Sequence, residues 1–152
     1  MKYLYMKLII TAFLLLSNIV ATASEGVVIA HVDSYSNFAS HEDTVKELRL
    51  LYLKRKMHWP NGKRAKPYTL PIGHNIEAAF ASKILMLTPS QADLHWRRAR
   101  QIDGATPPIK VRNERLLSTM VSKVPHSFGI ISKEYWTRIS KSNHSLRLLL
   151  EF

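Results

Sequence analysis

The residues best suited to bind a ligand lie in three short polar stretches, each next to an apolar segment. They are Ser34, Ser36 and Asn37; Gly73, His74 and Asn75; and Gly104 and Thr106. Hydroxyls, side-chain amides and the exposed backbone amides of a helix N-terminus all donate hydrogen bonds to anions. The three stretches therefore predict a site for a small oxyanion, and the alternative is that they are ordinary turns and helix caps.

Other kinds of chemistry find little support in the sequence. The chain has no Cys, and its seven His residues form no i, i+4 pair and no His-Glu-x-x-His pattern, so thiolate and histidine metal sites are not indicated. There is also no Gly-x-Ser-x-Gly elbow and no Walker loop. We therefore expect no metal, no cofactor and no catalytic residues.

The chain is strongly basic, and its cations fall into two clusters. The formal charge is +11, of which Lys2 and Lys7 account for two, leaving +9 on residues 24–152. Three aromatic residues, Trp59, Tyr68 and Trp96, lie among these cations. The first cluster is Lys54, Arg55, Lys56, Lys63, Arg64 and Lys66, and the second is Arg97, Arg98 and Arg100. Such a mixture suits a polyanion or a lipid head group, but the position of Trp96 in the apolar stripe of its helix favours a solvated basic face with two tryptophans packed in the core or a turn.

The first 23 residues predict a secretory signal peptide. Two lysines precede an apolar stretch over residues 8–21, and Ala21 and Ala23 provide a small-residue cleavage site. A membrane anchor is the alternative, although about 20 apolar residues are normally needed to span a bilayer. We expect cleavage after Ala23, a periplasmic or secreted location, one domain over residues 24–152, and no nucleic acid as partner.

The elements that must position these residues alternate between strands and helices. Residues 27–32 form an apolar run typical of a strand buried on both faces, here expected to be parallel to its neighbours, and Ser40 caps an amphipathic helix. Trp59-Pro60-Asn61-Gly62 predicts a turn, and a short edge strand is expected between it and Pro71.

Three more helices are expected after that edge strand, together with further extended segments. A second helix carries Phe80, and a third begins in a Thr88–Gln91 capping box with Trp96 and Ile102 facing inward. The remaining elements are a short extended piece at 109–111, a fourth helix capped by Asn113, a strand at 128–132, and a strand or helix at 146–152. This alternation predicts a three-layer α/β domain.

The order of these elements resembles one lobe of the phosphate-binding proteins of ABC transporters, within the type 2 periplasmic-binding-protein fold. The resemblance rests on residues 38–62, where a helix beginning near a Ser leads to a Trp and an Asn-Gly turn, and on residues 127–131 (SFGII). In that family the anion is held by helix N-terminal amides and by an Arg-x-x-Ser-Gly-Thr loop. The corresponding residues 71–75 (PIGHN) keep a Gly and a helix N-terminus but have no Arg and no Ser-Gly-Thr.

The resemblance implies a non-catalytic, solute-binding-like protein that holds phosphate or another small oxyanion between the 34–37 and 73–75 loops. It also implies an inner-membrane transporter or an envelope receptor as partner. Because the family has two lobes and this chain has the length of one, a homodimer is a further hypothesis. The alternative is an interaction or sensory accessory protein of the cell envelope that has lost the small ligand.

Overall fold

The computed structural model describes residues 24–152, so the predicted signal peptide lies outside the described residues. Residues 24–152 contain five strands and five α-helices, and the two types of element largely alternate. They are β1 (Gly26–His31), α1 (His41–Tyr52), β2 (Lys66–Thr69), α2 (Asn75–Phe80), which continues as a π-helix (Ala81–Leu85), α3 (Pro89–Asp103), β3 (Ile109–Lys110), α4 (Glu114–Lys123), β4 (Ser127–Ser132), α5 (Lys133–Ile139) and β5 (Leu146–Glu151).

The strands form one mixed sheet in the order β3-β2-β4-β1-β5. β2 runs parallel to both β3 and β4, whereas β1 runs antiparallel to its neighbours β4 and β5. Helices cover both faces, which confirms the predicted three-layer α/β architecture. The prediction that the first strand is parallel to its neighbours was wrong. Its continuous apolar run reflects burial on both faces, and burial does not specify direction.

Neighbouring residues of β4 show how the two faces are covered. The ring of Phe128 packs against Tyr52 of α1 at 5.0 Å and against Trp59 at 4.9 Å between centroids. A Cβ on the next residue, Gly129, would lie 2.6 Å from Leu117 Cδ2 of α4 on the other face. Successive strand residues point to opposite faces, so α1 and α4 enclose the sheet between them.

The predicted helix starts at Ser40, Thr88 and Asn113 are confirmed by their hydrogen bonds. Ser40 Oγ accepts from the Asp43 amide at 3.1 Å, and Asn113 Oδ1 accepts from the Leu116 amide at 2.9 Å. Thr88 shares a reciprocal capping box with the side chain three residues later, and Pro89 occupies the first helical position. These local signals specify where the helices begin because they satisfy amides that have no partner within the helix.

Both tryptophans of the basic clusters belong to the core. Trp59 is 1% exposed and its Nε1 donates to the His126 carbonyl at 3.0 Å. Trp96 is also buried and donates from Nε1 to the Tyr52 carbonyl, again at 3.0 Å. The core interpretation of these residues is therefore confirmed, and neither ring is available for stacking on a polyanion.

Some local expectations differ from the structure. Ile102 was predicted to face inward but is 79% exposed, because it lies in the last turn of α3 beyond the surface against which Trp96 packs. The segment at 146–152 is a strand, and α5 was not predicted. None of the helices in residues 24–152 combines the length and apolar character needed to span a bilayer.

Candidate functional site

The strand directions place the predicted ligand-binding loops at different edges of the sheet. The 73–75 loop follows β2, whose C-terminal end lies at the same edge as the end of β4 and the start of β1. The 34–37 loop follows β1 and lies at the opposite edge. β1 has six residues, about 17 Å at roughly 3.4 Å per residue, so one small ion cannot contact both loops.

The two serine hydroxyls of the 34–37 loop and the backbone carbonyl of Asn37 form hydrogen bonds within the protein. The buried Ser34 donates from Oγ to the Ser127 carbonyl at 2.9 Å. Ser36 Oγ accepts from Arg147 Nη1 at 2.5 Å, and Arg147 also donates to a backbone carbonyl just before the loop. The Asn37 carbonyl accepts from Tyr35 Oη at 2.9 Å. These bonds fasten the loop to β4 and β5, which favours its interpretation as a structural turn.

The 73–75 loop forms part of a cleft at the edge of the sheet, called the edge cleft below. Helices α2, α4 and α5 all begin around it, and its volume is about 610 Å³. Its lining residues come from the starts of these helices and from the start of β1: Ser24, Glu25, His74, Asn75, Ile76, Glu114, Ser132, Lys133, Glu134 and Thr137.

The helix N-termini at the edge cleft are capped by the protein's own side chains. His74 Nδ1 accepts from the Ile76 amide at 3.2 Å and thereby caps α2, of which Asn75 is the first residue. Ser132 Oγ accepts from the Tyr135 amide at 3.2 Å at the start of α5. The Ser132 amide in turn donates to the Glu114 carboxylate. Several donors that would hold an anion in this position are therefore already occupied.

The charges lining the edge cleft are mainly negative. Glu25, Glu114 and Glu134 contribute three carboxylates, against the single ammonium group of Lys133. Lys133 Nζ lies 3.0 Å from the carboxylate of Glu151 and 3.4 Å from that of Glu25, and these contacts raise the pKa of Lys133. Gly73 has φ +96°, as a glycine turn requires, and does not line the cleft. The side chains lining the edge cleft therefore carry a net negative charge.

The third predicted stretch separates into a helix cap and a groove residue. Gly104 adopts the left-handed conformation at φ 63° and ends α3, donating its amide to the Arg100 carbonyl at 3.1 Å. Thr106 instead lines an open groove of about 490 Å³ between α3 and β3, called the cationic groove below. Its lining is Asp93, Trp96, Arg97, Arg100, Thr106, Pro107, Pro108, Ile109 and Lys110.

A carboxylate organises the cations of this groove. Asp93 Oδ2 accepts from Arg97 Nε at 2.7 Å and also from Arg97 Nη2, and Asp93 Oδ1 lies 3.3 Å from Lys110 Nζ. The hydrogen bonds from Arg97, supported by Lys110, lower the pKa of Asp93. With Arg100, the lining contains three cations and one carboxylate. The sequence identified the two arginines, but Lys110 is brought to them only by the pairing of β3 with β2.

Besides Asp93, a carboxylate of α2, Glu77, interacts electrostatically with the groove: it is attracted by Lys110 and repelled by Asp93. Glu77 is only 3% exposed, and its Oε2 has no hydrogen-bond partner among the described residues. Burial raises the pKa of Glu77, the charge of Lys110 acts in the opposite direction, and Asp93 raises it further. Nothing in the sequence pattern distinguished Glu77, which lies one position after Ile76 on a helix expected to be amphipathic.

The structure thus distributes the predicted residues over three separate places. His74 and Asn75 lie at the edge cleft, Thr106 at the cationic groove, and the 34–37 loop at the far edge. Within residues 24–152, no group of three His, Asp or Glu side chains is placed to hold a metal ion.

Comparison with known proteins shows the fold. No family model matches the chain, and no curated protein matches it. Among solved structures, PstS from Borrelia burgdorferi is similar with a TM-score of 0.57 and 15% identity, covering 83% of this chain and 47% of that one. An ABC-type phosphate transport receptor from Vibrio cholerae is similar with a TM-score of 0.53 and 12% identity, covering 84% and 47% respectively. The chain therefore spans about half the length of these proteins and shares the fold of that half.

Proposed function

We propose that this domain is a non-catalytic accessory domain of the cell envelope, built on the phosphate-binding-protein fold but with its edge cleft closed to small oxyanions. Its envelope location follows from the predicted signal peptide. The observation that carries the proposal is the edge cleft, where the protein's own side chains cap the helix N-termini and three carboxylates line the space. A domain of this kind acts through a protein or membrane partner, such as the transporter or envelope receptor predicted above.

The competing function is binding of phosphate or another small oxyanion, and it has support of its own. The two similar solved structures are a PstS and a phosphate transport receptor, and three helices begin around the edge cleft as anion binding would require. Against it stand the charges of Glu25, Glu114 and Glu134, because carboxylates a few ångströms from an anion oppose its binding. The two functions predict opposite responses to added oxyanions.

A thermal-shift series with phosphate, sulfate, phosphonates and carboxylates at constant ionic strength distinguishes them. A ligand that binds only the folded state adds about 2.7 kcal/mol at 100 times its dissociation constant, a shift of several degrees for a domain of this size. We expect no selective shift. A selective shift with one oxyanion that is lost in Ser132→Ala would overturn the proposal, because Ser132 lies in the edge cleft.

Neutralising carboxylates of the edge cleft tests whether their charge excludes anions. The double variant Glu114→Gln, Glu134→Gln removes two negative charges from the edge cleft and weakens the acceptor for the Ser132 amide. If these carboxylates exclude anions, phosphate should stabilise the double variant more than the unchanged protein. An equal response of both proteins at every phosphate concentration would show that the carboxylates are not the cause.

The homodimer remains a prediction, motivated by a chain that spans about half of the similar proteins. Sedimentation equilibrium over a wide concentration range, with and without phosphate, measures it directly. Purely monomeric behaviour at the highest concentration under both conditions would count against a second copy completing the clamp.

A further inference from the structure

The cationic groove between α3 and β3 has features that the proposed accessory function does not explain. It lies away from the edge cleft, and its lining combines Thr106 with Arg97 and Arg100 of the second basic cluster. We propose that this groove binds the phosphate group of an anionic lipid head group and so docks the domain on a membrane surface.

Two cations of the groove are positioned by the carboxylate of Asp93. Asp93 is mostly buried, with 17% of its side chain exposed, and it holds Arg97 from one side and Lys110 from the other. Both cations are thereby fixed at the groove, while their other donors remain for a ligand. Arg97 uses Nε and Nη2 toward Asp93, so Nη1 stays available, and the ammonium group of Lys110 has three hydrogens to donate.

The side chains that line the groove carry a net positive charge. Arg97, Arg100 and Lys110 face a single carboxylate within the lining, which leaves a net charge of about +2 at the groove when all these groups are ionised. Thr106 adds a hydroxyl to the same lining. Guanidinium groups with a neighbouring ammonium and hydroxyl are the donors that recognise phosphate oxygens.

The apolar part of the lining favours a lipid over a free phosphate as the source of that group. Ile109 lines the groove at 48% exposure, and Pro107 lies in the same lining. Apolar side chains beside basic ones are typical of surfaces that lie in the head-group region of a bilayer. A free phosphate would gain nothing from these apolar neighbours.

Vesicle binding tests the proposal with charge-matched variants. The protein is purified in the form that remains after processing by the cell. It is titrated with vesicles of phosphatidylcholine, with and without phosphatidylglycerol, at low and at high salt. The test variant is Arg97→Gln, Arg100→Gln, and the control is Lys123→Gln, Lys141→Gln. The control removes the same charge from exposed residues outside the groove, at the end of α4 and after α5. Circular dichroism of each variant verifies that it is folded.

We expect binding to phosphatidylglycerol vesicles that weakens at high salt and is absent on pure phosphatidylcholine. Each basic residue near an anionic surface contributes about fivefold to affinity, so the groove variant should bind roughly 30-fold more weakly than the unchanged protein. The control variant should lose only a few-fold, since its charges act from a greater distance.

Two outcomes would overturn the proposal. Equal losses in the groove variant and the control would mean that binding reflects net charge and not this site. Stabilisation by inorganic phosphate that depends on Arg97 and Arg100, without vesicle binding, would mean that the groove takes a free anion. Neither readout involves the edge cleft, so failure here is distinguishable from failure of the proposed function.

Discussion

Replacing the buried carboxylate of Glu77 with an amide should stabilise the protein at neutral pH. Glu77 is 3% exposed and its Oε2 lacks a hydrogen-bond partner among the described residues. Burial raises the pKa of Glu77 above the ordinary value of 4.5, against the opposing charge of Lys110. A carboxyl whose pKa is higher in the folded state than in the unfolded state contributes most to stability in acid. Its contribution falls as the pH rises through the folded-state pKa.

The magnitude follows from the cost of an unpaired buried polar group. Leaving such a group without a partner costs about 1–3 kcal/mol, and the attraction of Lys110 offsets part of it. Glu77→Gln keeps the shape and leaves a neutral amide at the same buried position, so it removes only the additional cost of burying a charge, and we expect the free energy of unfolding at neutral pH to rise by about 1 kcal/mol. Below the ordinary pKa of 4.5, which the carboxyl has in the unfolded state, both forms are neutral and the difference should be small.

Urea unfolding followed by circular dichroism across this pH range measures the effect. The stability of the unchanged protein minus that of Glu77→Gln should become more negative as pH rises from acid to neutral. Glu134→Gln is the control, because Glu134 is 84% exposed and its replacement should change stability by less than about 0.5 kcal/mol at any pH. If the stability of Glu77→Gln relative to the unchanged protein instead falls as the pH rises, Glu77 and Lys110 form a net favourable ion pair and the desolvation argument fails.

Three further substitutions test the packing and the caps, each by urea unfolding at neutral pH. Gly129→Ala should cost about 1–3 kcal/mol, because its Cβ would lie 2.6 Å from Leu117 Cδ2; an unchanged midpoint would mean that α4 shifts freely. Thr88→Ala removes the N-cap of α3 and should cost about 1 kcal/mol, whereas Thr88→Ser should largely restore it. Trp59→Phe leaves the His126 carbonyl without its indole donor and should cost about 1–3 kcal/mol; a neutral result would mean that water replaces the bond.

Local features of the fold could be predicted from the sequence because they depend on neighbouring residues. Ser40, Thr88 and Asn113 each cap a helix that follows at once, and the 59–62 turn is closed by a hydrogen bond from the Gly62 amide to the Trp59 carbonyl. Buried strands were recognisable from apolar runs such as 128–132. In these cases the residue types satisfy backbone groups or bury surface without help from distant parts of the chain.

The direction of β1 and the composition of the candidate sites could not be predicted in this way. Whether β1 pairs in parallel or antiparallel fashion with β4 depends on the path of the whole chain, and its apolar residues suit either arrangement. That direction decides which loops share an edge, so the 34–37 loop was wrongly grouped with the 73–75 loop. Likewise Lys110 joins Arg97 only through Asp93 and the β2–β3 pairing.

The two candidate sites differ in the source of their positive charge and in how that charge is balanced. At the edge cleft the partial positive charges of α2, α4 and α5 are met by His74, Asn113 and Ser132 as caps and by the carboxylate of Glu114, so stability is gained without a ligand. At the cationic groove the positive charge belongs to three side chains, and the one carboxylate in the lining, Asp93, pairs with only two of them, Arg97 and Lys110. That excess is not satisfied internally, which is why an anion is expected at the groove and not at the edge cleft.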